Sequence, residues 1–181
     1  MAESPLFRIK TYASPRPLLT PGCQQPGGMV PAMMTQTAAA LPRPVTALDH
    51  LPPPPVACLL GWHILDARPE TGWIRIGFQG RQEFLNPAGF IQGGILAAML
   101  DDTMGPAVFA MTEGALYTAT IDMNVSFLAP ARMGLIVGEG QVVQLGKTVA
   151  FLEARLLDEA GAVIARATST ARLVPSAKAL A

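Results

Sequence analysis

The residues with the most chemical promise lie together between Asn86 and Asp102, a stretch that reads Asn-Pro-Ala-Gly-Phe-Ile-Gln-Gly-Gly-Ile-Leu-Ala-Ala-Met-Leu-Asp-Asp. Gly93 and Gly94 open a run of good helix formers, so their backbone N–H groups belong to a first turn that has no partner within the helix. Those amides sit at the positive end of the helix dipole, equivalent to about half a unit charge. Lacking side chains, they let another molecule approach closely. Such donors can hold a developing oxyanion, and losing one typically costs on the order of 100-fold or more in rate. The same pair of glycines would also permit tight helix–sheet packing, and spacing alone leaves both uses open.

Asp101 follows Gly93 by eight residues, roughly 12 Å along a helix at about 1.5 Å per residue. That is too far for the Gly93 amide and Asp101 to meet around one reacting carbon. If both serve one substrate, they must come from different subunits across a two-fold axis. A carboxylate in an apolar helix is costly unless it is hydrogen-bonded or used. Asp102 comes next, and successive helix positions differ by about 100°, so the two carboxylates face different ways. One can face a site while the other caps or pairs structurally.

The elements that must position these residues can be read from periodicity. Residues 62–67 and 71–79 read as strands joined by a turn; in the second, Ile74, Ile76 and Phe78 alternate with Trp73, Arg75 and Gly77. Residues 81–91 read as a loop, punctuated by Asn86-Pro87 and Gly89. The helix beginning at Gly93 is apolar nearly all round and is expected to be buried, with Pro106 kinking or ending it. Beyond it, strands are expected over 116–127, 135–143, 148–157 and 163–173, with glycine-containing turns that favour antiparallel hairpins. In the first of these, Thr118, Thr120, Asp122, Asn124 and Ser126 alternate with Ala119, Ile121, Met123, Val125 and Phe127. A single apolar helix needs a curved sheet to wrap it, which is an α+β arrangement.

Half of the 181 residues are apolar and only 14% are charged, so a sizeable core is available and some apolar surface is expected between subunits. Thirteen basic residues balance thirteen acidic ones, leaving no overall field to favour nucleic acid or an anionic membrane. The longest apolar run of the domain, Ile95 to Leu100, is far shorter than the roughly 20 residues of a membrane span. Cys23 and Cys58 form neither a disulfide framework nor a metal-ligand spacing, and two histidines, His50 and His63, exclude a multi-histidine metal site. Two cysteines outside any disulfide framework suit a reducing, cytoplasmic setting. Residues 1–50 are proline-rich with little periodicity and are expected to form a flexible arm. Residues 51–175 form the domain, entered through the stiff run Pro52–Pro55, and 176–181 a short tail.

The same residues carry a family resemblance. Asn86-Pro-Ala-Gly, Gln92-Gly-Gly-Ile-Leu-Ala-Ala and Asp101 resemble the central motif of hotdog-fold acyl-CoA thioesterases of the phenylacetate-degradation (PaaI-like) type. Those enzymes usually read N-x-x-G-x-x-H-G-G, with an acidic residue nine positions after the histidine. The segment from Thr120 to Arg132 resembles the strand that follows the helix in that family, and Gly146 and the turn at Asp158–Gly161 fall where its hairpins turn.

The resemblance spans roughly residues 51–175. It implies a hotdog fold, a long central helix wrapped by an antiparallel sheet of about five to six strands. It further implies a homodimer or homotetramer acting on an acyl-CoA, with no cofactor or metal beyond the coenzyme A carried by the substrate. In its terms Gly93 and Gly94 donate to the thioester oxygen, and Asn86 makes a polar contact near the thioester or the attacking water. Asp101, contributed by the other subunit, activates water or attacks the carbonyl, and Thr120 helps to place the water. Asp102 is expected to be structural. Gln92 replaces the usual histidine, keeping a donor and an acceptor but no ionisable ring. Lys147 and Arg132, in turns, are candidates for coenzyme A phosphates, and Met99, Met104, Phe109 and Phe127 for the acyl pocket.

Two other functions stay in view. A non-hydrolytic acyl-CoA-binding or sensing protein is favoured by Gln92, although residues 1–50 hold no helix-turn-helix pattern for a DNA-binding regulator. Hydration of an enoyl thioester would require an acid and a histidine near the helix, and no histidine stands there.

Overall fold

The computed structural model describes residues 43–180, so most of the expected arm, residues 1–42, lies outside the described residues. The elements in chain order are α1 (Pro55–Leu60), β1 (His63–Arg68), β2 (Trp73–Gly80), α2 (Gly93–Met111), β3 (Leu116–Phe127), β4 (Gly134–Leu145), β5 (Val149–Leu157), β6 (Val163–Pro175) and α3 (Ser176–Ala179). The six strands form one sheet in the order β1-β2-β4-β5-β6-β3, every neighbouring pair antiparallel. Helix α2 touches all six strands, which only a sheet curved around it allows. This is the expected hotdog arrangement. The part of the arm that is described, residues 43–50, is folded: Arg43 pairs with Asp49, and Asp49 Oδ2 accepts the Thr46 N–H at 2.8 Å. The Arg43 guanidinium, bonded to the Asp49 carboxylate, holds it well below the usual carboxylate range.

Helix α2 has 19 residues, and by length and composition it would suffice to cross a membrane, yet half of its most apolar window is buried inside the fold. Its sheet-facing side, Leu96, Met99, Leu100, Thr103, Met104, Ala107 and Val108, packs against Ile74, Ile76 and Phe78 of β2 and Ile136 of β4 in one continuous core. Close approach requires glycine on the sheet. A Cβ on Gly138 would collide with the Thr103 hydroxyl, and one on Gly140 would lie 2.8 Å from the Thr103 carbonyl oxygen. The Thr103 hydroxyl donates to the Met99 carbonyl at 2.7 Å, so this buried polar group is satisfied.

Pro106 does not end the helix, one of the two outcomes expected for it. A proline at position i has no N–H for the carbonyl at i−4, which here is Asp102. The indole Nε1–H of Trp62 donates to that carbonyl at 3.1 Å. A residue between α1 and β1 thereby supplies the donor that the proline lacks, and α2 continues to Met111.

The simple alternation expected for 116–127 also fails at one place. Thr120 pairs with Ala171 and Asp122 with Thr170 of β6, leaving Ile121 as an extra residue in a bulge. Before the bulge, Leu116, Thr118 and Thr120 face the helix; after it, Met123, Val125 and Phe127 do. One inserted residue flips the face, as a period of two requires. The other edge of β3 has no strand beside it among the described residues.

If Trp62 compensates Pro106, Trp62→Phe removes a donor while keeping most of the packing. The expected loss is about 1–2 kcal/mol of unfolding free energy in urea, and it should shrink when Pro106→Ala restores the helix's own donor. A loss unchanged by Pro106→Ala would show that the ring's packing, not its N–H, is what counts.

Candidate functional site

The loop before α2 is built to deliver the helix start to one place. Asn86 Oδ1 accepts the N–H groups of Ala88 at 2.9 Å and Phe90 at 3.2 Å, while the Asn86 N–H donates to the Phe90 carbonyl at 2.7 Å. Gly89 takes the positive φ of 82° that closes this turn. The Ile91 N–H then donates to Ala131 and the Gln92 N–H to Phe84, fixing the last residues before the helix. The acceptor of Asn86 is thus spent on the loop, and only its amide N–H remains for a ligand.

Gln92 is the N-cap residue, and its side chain makes no capping bond. Its carbonyl accepts the N–H groups of Ile95 and Leu96 at 2.9 and 3.2 Å. Those of Gly93 and Gly94 have no acceptor among the described residues, the free donors that the first turn of a helix leaves. Space around the glycines differs. Nothing lies within 4 Å of a Cβ built on Gly94, whereas one on Gly93 would meet the Phe127 ring at 3.2 Å. Beside them opens a cleft of about 440 Å³ lined by Asn86, Phe90, Gly93, Leu96, Phe127 and Leu128 among others, mostly apolar side chains interspersed with polar atoms. At its edge the Arg132 guanidinium lies over the Phe90 ring, 5.5 Å from the centroid.

Asp101 is exposed, and its Oδ1 accepts the Thr120 hydroxyl at 2.9 Å. The structure therefore joins these two candidates in one protomer, with the β3 bulge directly after Thr120. It keeps them away from the glycines: α2 runs unbroken from Gly93 through Asp101, so the axial separation of about 12 Å stands. Lys147 is exposed in the turn after β4. Strand β4, 12 residues long, begins beside the cleft and ends before that turn, up to about 40 Å away at 3.3 Å per residue. Within a protomer it does not join the cleft.

Asp102 behaves unlike its neighbour. Its Oδ2 is buried with no hydrogen-bond partner. Burial first, and then the charge of Asp101, push its carboxyl up to about 6. The expected cap or ion pair is not found among the described residues. The sequence did not signal the contact of Phe127 with Gly93, because unbroken alternation would put Phe127 on the same face as Ala119 and opposite Thr120. Nor are Met99 and Met104 walls of the cleft; both are fully buried in the core.

A raised carboxyl stabilises the folded state while it is protonated. That contribution is fully present below the ordinary value of 3.8 and is lost as pH rises through about 6. Asp102→Asn removes the burden of the buried charge. It should be more stable than the parent at pH 8 by on the order of 1–2 kcal/mol, allowing for partial exposure, and equal to it near pH 4. Urea unfolding at both pH values checks this, and a variant less stable at pH 8 would refute it.

Comparison with known proteins places this geometry in context. The Thioesterase superfamily model matches residues 88–165, from the loop before α2 into β6. A Halobacterium salinarum protein named as an esterase is 34% identical over 115 residues, which is 62% of this chain and 76% of that protein. Human acyl-coenzyme A thioesterase 13 is 33% identical over 94 residues, 51% of this chain and 66% of its own length. A Ralstonia eutropha crystal structure, described as a phenylacetic acid degradation-related thioesterase, superposes with a TM-score of 0.66 at 35% identity. It covers 70% of this chain and 95% of its own.

Proposed function

The chain belongs to the thioesterase superfamily, and on that footing we propose that it hydrolyses an acyl-CoA thioester to the free acid and coenzyme A, at a site shared by two subunits. The observation that carries this reading is the division of one rigid helix into two functional ends. Free amides stand at Gly93 and Gly94, and a carboxylate stands about 12 Å further on. Neither end completes a site within its own protomer.

Two-fold association supplies the missing half. The open edge of β3 is the natural place for it, because 12 residues of unpaired strand are available there with Tyr117, Ile121 and Phe127 exposed. An uncovered strand of that length invites pairing with a second chain. Thr120 and Asp101 lie by the middle of this edge, so pairing there would carry both toward the other subunit.

In the proposed reaction the thioester oxygen accepts the N–H groups of Gly93 and Gly94, and the helix dipole favours the charge that grows on it. Asp101 of the partner subunit takes a proton from water, whose oxygen bonds to the carbonyl carbon. The tetrahedral adduct then expels the coenzyme A thiolate as the carbon–sulfur bond breaks. The thiolate leaves readily, so a single carboxylate suffices as base. Direct attack by the carboxylate is the variant route. The hydroxyl of Thr120 engages one carboxylate oxygen and leaves the other for water. The Asn86 amide N–H and the Gln92 side chain supply further polar contacts at the helix start. The aromatic and aliphatic cleft at Phe90, Leu96, Phe127 and Leu128 suits an apolar portion of the substrate.

A non-hydrolytic acyl-CoA-binding role is the second reading, and Gln92 favours it because no ionisable group stands at the helix start. Enoyl hydration finds no support: the ring of His63 packs on Gly77 of β2, away from the helix.

Thiol release from a panel of acyl-CoA substrates separates these readings. Asp101→Asn should lower kcat/KM by at least about 100-fold while leaving the assembly intact in sedimentation. Equal rates for variant and parent would remove Asp101 from the mechanism. Gln92→His should raise turnover if glutamine weakens an otherwise competent site, and tight binding without thiol release in both forms would favour the binding role.

A further inference from the structure

Asp102 has no structural use to account for it. Its side chain forms no hydrogen bond or ion pair among the described residues, and one of its oxygens is shut off from solvent. Its place on the helix is fixed. Its carbonyl is held by the Trp62 indole, and Thr103 and Met104, the next residues of the helix, are fully buried. An unpaired carboxyl oxygen kept inside a fold costs stability, and a hydrophobic residue of similar size would avoid that cost. Asp101, one step round the helix, is exposed to water and accepts the Thr120 hydroxyl, surroundings suited to a charged carboxylate.

We propose, resting on the thioesterase reading above, that Asp102 is a positioning residue acting through Asp101: it takes up the proton the pair holds in mildly acid solution and leaves Asp101 as the free carboxylate. Two adjacent carboxyls in unlike environments divide into proton holder and base in this way. The groups around Asp102 fit the assignment. Trp62 reaches it from between α1 and β1 and is uncharged. Strand β3 brings Thr118 and Thr120 to this side of the helix. Asp101 is the one charged group whose field acts on Asp102, and no cation forms an ion pair with either carboxylate among the described residues. Burial and that field together set its titration near pH 6.

Above that pH Asp102 adds a second charge beside Asp101, and no cation pairs with either among the described residues. The second charge strengthens the pull on a proton of water. Activity should therefore climb in a step as Asp102 ionises. Asp102→Asn holds the pair permanently in its one-proton form.

The experiment follows kcat and KM for thiol release between pH 5 and 8 in the full-length protein. The parent should rise through a step of about 3- to 10-fold centred near pH 6. Asp102→Asn should match it at pH 5, lack the step, and fall about 3- to 10-fold behind at pH 8, with KM unchanged. Asp102→Glu should restore the step. A purely structural Asp102 would scale rates with the folded fraction and leave the profile's shape alone, so superimposable profiles overturn the proposal. A parent that releases no thiol at any pH sinks the functional reading instead. Carboxyl-carbon NMR then still judges the pair: Asp102 protonated at pH 5 sustains the proton-holding role, and Asp102 already ionised there refutes it.

Discussion

The rigidity of α2 is the constraint on which everything else in this protein turns. A helix wrapped by six strands cannot bend to bring its ends together. Its free amides and its carboxylate stay about 12 Å apart at 1.5 Å per residue, too far to share one carbon. On the reading proposed above, a monomer of this chain carries two half-sites, an oxyanion cradle without a base and a base without a cradle. Association would in that sense be part of the chemistry, and the edge of β3 beside Thr120 and Asp101, which no strand covers among the described residues, is where the fold leaves room for it.

Holding such a helix in place required several local rules to be broken and then compensated. Glycine at 138 and 140 weakens a strand interior but lets Thr103 approach the sheet. Proline at 106 strips a donor from the helix, and Trp62 returns one from outside it. The β3 bulge disrupts a ladder, yet it turns both Thr120 and Phe127 toward α2, one beside the carboxylate and the other over the Gly93 end. These compensations come from elements far apart in sequence. They converge on the helix that carries the site, as expected when strain is tolerated for function.

This also explains which features were legible in the sequence. Strands 63–68 through 163–175 and the start of α2 follow from period-two alternation and from Gly93-Gly94, because hydrophobic patterning is local. Why Pro106 does not end α2 is not legible in the sequence, since the donor that compensates it sits 44 positions earlier, on Trp62. The bulge at Ile121 leaves no residue-type signal; it is revealed only by pairing with β6. Asn86 was picked out as a polar group for ligand, and the structure adds that its acceptor holds the loop. Lys147 was proposed for phosphates from its exposure in a turn, but where that turn stands relative to the cleft depends on the direction of β4. Asp102 could be recognised as anomalous in an apolar helix, whereas its lack of a partner is a tertiary fact.

Gln92 binds these threads together. With a histidine at the helix start, the cradle itself would change charge near neutral pH and would share in setting the acidity of the reaction. Glutamine removes that possibility, so on the proposed reading polarisation of the thioester would rest on fixed dipoles, the amides of Gly93 and Gly94 and the helix behind them. Fixed dipoles do not titrate. The pH dependence proposed above then belongs to the other end of α2, where Asp102 stands beside Asp101. In that reading the two ends of one helix would divide the work: one would supply a field that is constant, the other a charge that responds to protons.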